Sequence, residues 1–175
     1  MGSEKPEDFG DYYAWGETET KDNYDWSTYK FGTSYSGPFS KYNMDDKKTS
    51  LETGPNGDDV VSKRLGGKWR IPTKEEWEEL KSRCTLKWTS DYNGTGVPGI
   101  IATSIVSANR SEGLFFPATS SGESFYDCPN AKYWSSSIDL YPKCEFAYGV
   151  NLVEERIHIE EFPRSYGFSI RPVSE

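Results

Sequence analysis

The chain has one histidine, His158, and three cysteines, Cys84, Cys128 and Cys144. His158 sits between Ile157 and Ile159 in an alternating segment, so its side chain leaves the strand on the face opposite both isoleucines. That placement speaks against a His-based catalytic triad, and one histidine excludes a multi-histidine zinc site. The cysteines form no close pair and no metal-ligand spacing, and an odd count leaves at least one thiol free. The expectation is one buried thiol and two incidental ones, with a Cys128–Cys144 disulfide across a loop as the alternative. No glycine-rich phosphate cradle occurs. Asp45-Asp46 and Asp58-Asp59 lack the spaced oxygen ligands of a calcium loop and read as turn and cap residues. Asn93-Gly94-Thr95 and Asn109-Arg110-Ser111 match the glycosylation triplet and read as chance matches. No catalytic residue, metal-ligand set or cofactor is expected.

The remaining chemistry is that of contact. Tyr126, Asp127, Asp139, Leu140, Tyr141, Phe146, Tyr148, Phe162, Arg164 and Tyr166 cluster in the last third of the chain. Exposed Tyr, Phe and Arg give large contact area at low entropic cost, which is why binding sites use them. The competing reading is that many of them are core, Phe146 or Tyr148 above all.

These residues need a folded frame. The chain has 175 residues, enough for one domain with a sizeable core. It is only 34% hydrophobic but 15% aromatic, with 12 Tyr, 9 Phe and 6 Trp, so rings are expected to build the core of a loop-rich domain. The net charge of −8, with no long basic run, argues against nucleic acid as a partner. No apolar run approaches the roughly 20 residues of a membrane span. Met1-Gly2-Ser3 reads as a cloning remnant, so an export signal is expected to have been removed.

Residues 8–45 combine rings with glycines and lack helical periodicity. They read as irregular loop with short strands, held down by the rings. Gly54-Pro55-Asn56-Gly57 is a turn. Asp58 or Asp59 then caps a short helix carrying Val60, Val61 and Leu65, which Gly66-Gly67 ends. Thr73 with Glu76 forms a capping box, so an amphipathic helix starts at Lys74 and turns Trp77, Leu80 and Cys84 to one face. Its acidic face reads as solvated. From Leu86 the pattern changes to short strands: Leu114–Ala118, stopped by Pro117, then Tyr133–Ser137. Phe146, Tyr148, Val150 and Leu152 alternate at period two, and Ile157 and Ile159 resume the alternation. The reading is α+β, a single domain of two short helices, antiparallel strands and long irregular loops.

Four blocks carry a resemblance. They are Gly10-Asp11-Tyr12-Tyr13-Ala14-Trp15-Gly16-Glu17, then Leu65–Thr73 with Glu76-Trp77-Glu78-Glu79-Leu80, then Leu114–Ala118 with Tyr133–Ser137, and last Gly167–Val173. In this order they resemble the Fibrobacter succinogenes major paralogous domain family of bacterial surface proteins. The resemblance spans nearly the whole chain. It implies a C-type lectin fold over residues 1–175, in the branch related to formylglycine-generating enzymes, and a place at the cell surface or outside the cell. The calcium-dependent sugar motifs of C-type lectins and the close cysteine pair of the enzymes have no counterpart here, so neither activity carries over.

A subset of that family is similar to the variable proteins of diversity-generating retroelements. There an error-prone reverse transcriptase rewrites adenines in the codons of a C-terminal ligand-binding surface. The resemblance places such a region at residues 126–173. An AAC codon randomised at its adenines reaches Ile138, Asp139, Leu140, Tyr141, Pro142, Cys144, Gly149, His158, Phe162, Pro163 and Tyr166. It cannot reach Lys143, Glu154, Glu155, Glu160 or Glu161. Asn151 is the only asparagine from 131 onward. The implied ligand-binding set is therefore Tyr126, Asp127, Ile138, Asp139, Leu140, Tyr141, Pro142, Phe146, Tyr148, Asn151, His158, Phe162, Arg164 and Tyr166. Buried Trp69, Trp77 and Trp134 are expected to hold the frame beneath it. The implied function is noncatalytic binding of a protein or glycan on a cell or phage surface. The alternatives are a fixed-sequence adhesin or structural surface domain of the same fold, and an enzyme of the formylglycine-generating type.

Overall fold

The computed structural model describes residues 2–106, 113–118, 130–141, 144–153 and 155–174. Among these residues there are two α-helices, α1 (Val60–Leu65) and α2 (Lys74–Arg83). Eight strands accompany them: β1 (Trp69–Arg70), β2 (Cys84–Thr89), β3 (Gly99–Ser104), β4 (Leu114–Pro117), β5 (Ala131–Ile138), β6 (Phe146–Val153), β7 (Arg156–Pro163) and β8 (Val173–Ser174). They form antiparallel sheets ordered β1-β8, β2-β3-β4 and β5-β6-β7. The fold is α+β.

The helices start where their caps dictate. Asp59 accepts from Ser62 N at 2.9 Å, and its other oxygen accepts from Ile71 N at 2.9 Å. One buried carboxylate thus starts α1 and ties it to the chain entering α2. Burial pushes its pKa up despite these donors. Gly66, at φ 66°, ends α1 in a conformation that disfavours side chains. Thr73 Oγ1 accepts from Glu76 N at 3.3 Å, and Thr73 N donates to Glu76 Oε2 at 2.8 Å, which closes the capping box. Arg70 clamps both oxygens of Glu76 at 2.7 and 2.8 Å. Lys74 N donates to Ser137 Oγ and Ser136 N to Pro72 O, fixing the helix start against β5.

The β5-β6-β7 sheet separates two cores. Successive residues of a strand face opposite ways. Tyr133 joins Trp77, Ile100, Phe116, Val150, Leu152 and Ile157 on one side. Its neighbour Trp134 joins Tyr13, Trp15, Phe31, Ile138, Ala147 and Phe168 on the other. The second core binds the two ends of the chain together. Tyr13 and Phe168 exchange backbone hydrogen bonds at 3.0 and 3.1 Å, and Trp134 Nε1 donates to Tyr13 O at 2.8 Å.

Three expectations change. The alternation over Phe146–Leu152 does not divide inside from outside, because both faces are covered: Ala147 is buried on one side, Val150 and Leu152 on the other. Trp69 is 43% exposed, because among the described residues two-residue β1 pairs with the equally short β8 alone, opposite Ser174, at the margin of the fold. Leu65 is also exposed, at the last turn of α1. In residues 8–45 the rings of Tyr13, Trp15, Tyr29, Phe31, Phe39 and Tyr42 are buried as expected, but the backbone forms one isolated bridge, Tyr13 to Phe168, in place of short strands.

Asp59→Ala removes a cap and orphans the buried Ile71 N–H. It should cost about 2–4 kcal/mol in denaturant unfolding. Hydrogen bonding from Arg70 holds the Glu76 carboxyl below its ordinary range. A lowered folded-state pKa gives stability that is present above the unfolded value and lost as pH falls through the folded one. Glu76→Gln should therefore lose part of the stability decline that the native chain shows below about pH 5.

Candidate binding surface

The residues expected at the surface divide by where the backbone aims them. Arg164 follows directly on β7 and is fully buried. Its Nε donates to Tyr29 Oη at 2.9 Å, Nη1 to Cys144 O at 2.9 Å and Tyr42 O at 3.2 Å, and Nη2 to Lys41 O at 3.1 Å. Rings surround the guanidinium, with Phe39 at 4.9 Å and Trp15 at 5.0 Å. Its backbone N–H donates to Glu145 O, and its carbonyl accepts from Trp15 N. Arg164 is thus a cation in an aromatic and carbonyl cage, and has no surface to offer a ligand. Ile138 is buried as well, because it lies opposite Ala147 on the sheet face that covers the Trp134 core.

Above this anchor runs the connection from β5 to β6. Asp139 N donates to Phe146 O at 3.3 Å, and Asp139 Oδ1 accepts from Tyr141 N at 3.1 Å, an Asx turn. The buried Cys144 donates its thiol to Leu140 O at 3.4 Å. Leu140 is half-buried against the core, whereas Tyr141 stands 80% exposed. Half-buried Phe146 meets the edge of Tyr35 with centroids 5.6 Å apart, and Tyr35 in turn meets Trp26. Asp139, Leu140, Tyr141 and Phe146 therefore form one patch, and Tyr35, 49% exposed, extends it. The sequence reading left Tyr35 among the loop rings. Its signal was a ring flanked by serines within Gly32–Gly37, a polar context in which a ring is poorly placed for the core.

A second group lies on the sheet. Asn151 and His158 are direct cross-strand partners, and Lys132 lies opposite Asn151 on the other side. His158 is exposed, while the Oδ1 of Asn151 is enclosed and has no hydrogen-bond partner among the described residues. Phe162, further along the same face, packs edge-on against Phe168 at 4.9 Å, with the Lys132 ammonium 5.6 Å from its ring. Tyr166 leans on Phe168 at 6.3 Å and is half-buried. Tyr148 belongs elsewhere. It lies on the opposite face, where the Lys74 ammonium sits 3.9 Å over its ring. Tyr126, Asp127 and Pro142 lie outside the described residues, as does Cys128 of the alternative disulfide.

Burial pushes the Cys144 and Cys84 thiols up, away from the reactive thiolate. Among the described residues no group of three or more His, Cys, Asp or Glu is placed to hold a metal ion. Nor is any helix there long and apolar enough to cross a membrane.

Substitution should separate anchor from surface. Arg164→Ala opens a cavity and leaves buried carbonyls without donors, and should cost about 3–5 kcal/mol. Tyr141→Ala should stay within about 0.5 kcal/mol of the native chain, and half-buried Tyr166→Ala should fall between, at about 1–3 kcal/mol. Thermal and denaturant unfolding of the three variants checks the order. No family model matches this chain, and neither a curated protein nor a solved structure matches it.

Proposed function

We propose that this chain is a noncatalytic binding module that recognises a protein or glycan target on a cell or phage surface, and that it works at the cell surface or outside the cell. The proposed frame is of the C-type lectin type, as the resemblance of the four sequence blocks implies. Its support is the combination of two short helices, antiparallel sheets and long irregular loops around one closed pair of chain ends. The contact surface is centred on Tyr141, with Leu140, Asp139, Phe146 and Tyr35 around it. One observation carries this reading. Tyr141 is an 80% exposed ring on a connection whose base is held by the Asp139–Phe146 bond and by Cys144 O on the buried Arg164. A ring presented on a fixed base loses little entropy on binding. Its side chain can also change without disturbing the core.

The proposal includes diversification of residues 126–173 by a retroelement. A fixed-sequence adhesin of the same fold is the second reading. It is favoured by the burial of Ile138, Cys144 and Gly149, code-reachable positions that serve the frame and not the surface. The DNA around the gene decides between them. Diversification requires a near-copy of the codons for residues 126–173, mismatched only at adenines, beside a reverse transcriptase gene. A fixed adhesin has no such copy.

The binding claim is checked on arrays of cell-surface proteins and glycans. The native chain should retain a target that Tyr141→Ala loses by at least about tenfold, the loss of about 1.4 kcal/mol expected of a modest hot spot. Equal retention of the target by Tyr141→Ala would remove Tyr141 from the site.

A further inference from the structure

Glycine follows asparagine at two places in the chain, Asn56-Gly57 and Asn93-Gly94. A residue without Cβ leaves its backbone nitrogen open to the asparagine side chain before it. The fold treats the two places differently. Gly57 is buried, its N–H donates to Gly54 O at 3.0 Å, and it lies so close to the Glu52 carbonyl that a Cβ has no room. The same carbonyl accepts from Asp58 N at 3.0 Å and from Asp59 N at 3.1 Å, on the approach to α1. Freeing the Gly57 nitrogen therefore means unpicking the start of that helix. Asn93-Gly94 is instead the tip of the hairpin that joins β2 to β3. Asn93 at φ 52° and Gly94 at φ 76° form a tight turn, closed by Thr95 N donating to Tyr92 O at 3.0 Å. Both residues are exposed, and a Cβ at Gly94 would meet only open space. Neither the Asn93 side chain nor the Gly94 N–H has a hydrogen-bond partner among the described residues.

We propose that Asn93 is a site of self-modification, a one-way deamidation that the fold permits there and prevents at Asn56. The Gly94 nitrogen attacks Asn93 Cγ and closes a succinimide ring. The Cγ–Nδ2 bond breaks, and the side-chain nitrogen leaves as ammonia with the proton from the Gly94 N–H. Water then opens the ring. Cleavage at Cγ restores the main chain and leaves aspartate. Cleavage at the main-chain carbonyl leaves isoaspartate, whose chain runs through Cγ. Water is the sole co-reactant, and nothing is oxidised or reduced. The attack requires the turn to leave its left-handed conformation, and an exposed hairpin tip opens at low cost. Either product adds a negative charge two residues from Asp91. Isoaspartate also inserts a methylene into the main chain, so the turn from Tyr92 to Thr95 no longer closes. Tyr92 lies flat on the buried Phe115, with the rings parallel and their centroids 3.9 Å apart. The modification therefore loosens the cover of Phe115 and marks aged chains at this end of the β2-β3-β4 sheet. It does not depend on the ligand reading.

Peptide mass mapping of the folded full chain, incubated at mildly alkaline pH, follows both sites through the exchange of NH for O. Asn93 should convert at least about tenfold faster than Asn56, and chromatography should resolve both aspartate and isoaspartate at position 93. In concentrated urea the two sites should convert at similar rates, because the structure that separates them is gone. In the isoaspartate fraction, hydrogen exchange should show the Thr95 amide stripped of its protection while the Trp134 amide in β5 keeps its own. An Asn93 that stays intact in the folded chain overturns the proposal, and so does conversion of Asn56 at the same rate. A preference for Asn93 that persists in urea overturns the assignment of selectivity to the fold. Retained protection of Thr95 in the isoaspartate fraction overturns the loosening of the turn.

Discussion

Arg164 holds a permanent positive charge with no access to water. Burying a cation is costly unless its donors are satisfied and its charge is met by something negative. Here carbonyl oxygens and ring faces meet both needs. The carbonyls come from Lys41, Tyr42 and Cys144, the phenol from Tyr29, and the faces from Trp15, Phe39 and their neighbours. These groups belong to the ring-rich N-terminal loops and to the connection between β5 and β6, stretches that share no sheet ladder. The guanidinium fork is the point at which they meet. Its planar geometry lets one side chain serve four acceptors in different directions, which an ammonium cannot do.

The second constraint is the two-sided sheet. Tyr133 and Trp134 are neighbours in sequence yet anchor separate cores, and β6 does the same with Ala147 and Val150. Packing on both faces leaves few places where a side chain can vary freely. They are the connection carrying Tyr141 and the face around exposed His158. The proposed contact patch around Tyr141 therefore lies where the frame ends. The buried Ile138, Cys144 and Arg164 lie just beneath and hold the patch in position.

The local signals were legible because each rests on a hydrogen bond within a few residues. Thr73 with Glu76, Asp59 before Val60, and Gly66 after Leu65 mark helix ends that the chain adopts. Phe115 and Phe116 ahead of Pro117 mark a buried strand, and it is β4. The less legible features depend on distant partners. Arg164 reads as a surface residue because its cage comes from residues 15–42 and from Cys144, and no spacing encodes that meeting. Ile138 and Trp69 are misplaced for a related reason: period two says which residues share a face, but not which faces another layer covers. Tyr141, by contrast, sits in a short turn after β5, and its outward placement agrees with the expectation from the sequence.

If Arg164 is the joint of the fold, then the segments it gathers must open together. Native-state hydrogen exchange reads this residue by residue. The amide of Trp15, which donates to Arg164 O, and that of Arg164, which donates to Glu145 O, should exchange only through global unfolding. They should share the protection of Trp134 in the centre of β5. Protection of Trp15 and Arg164 far below that of Trp134, with the N-terminal loops opening by themselves, would contradict the account.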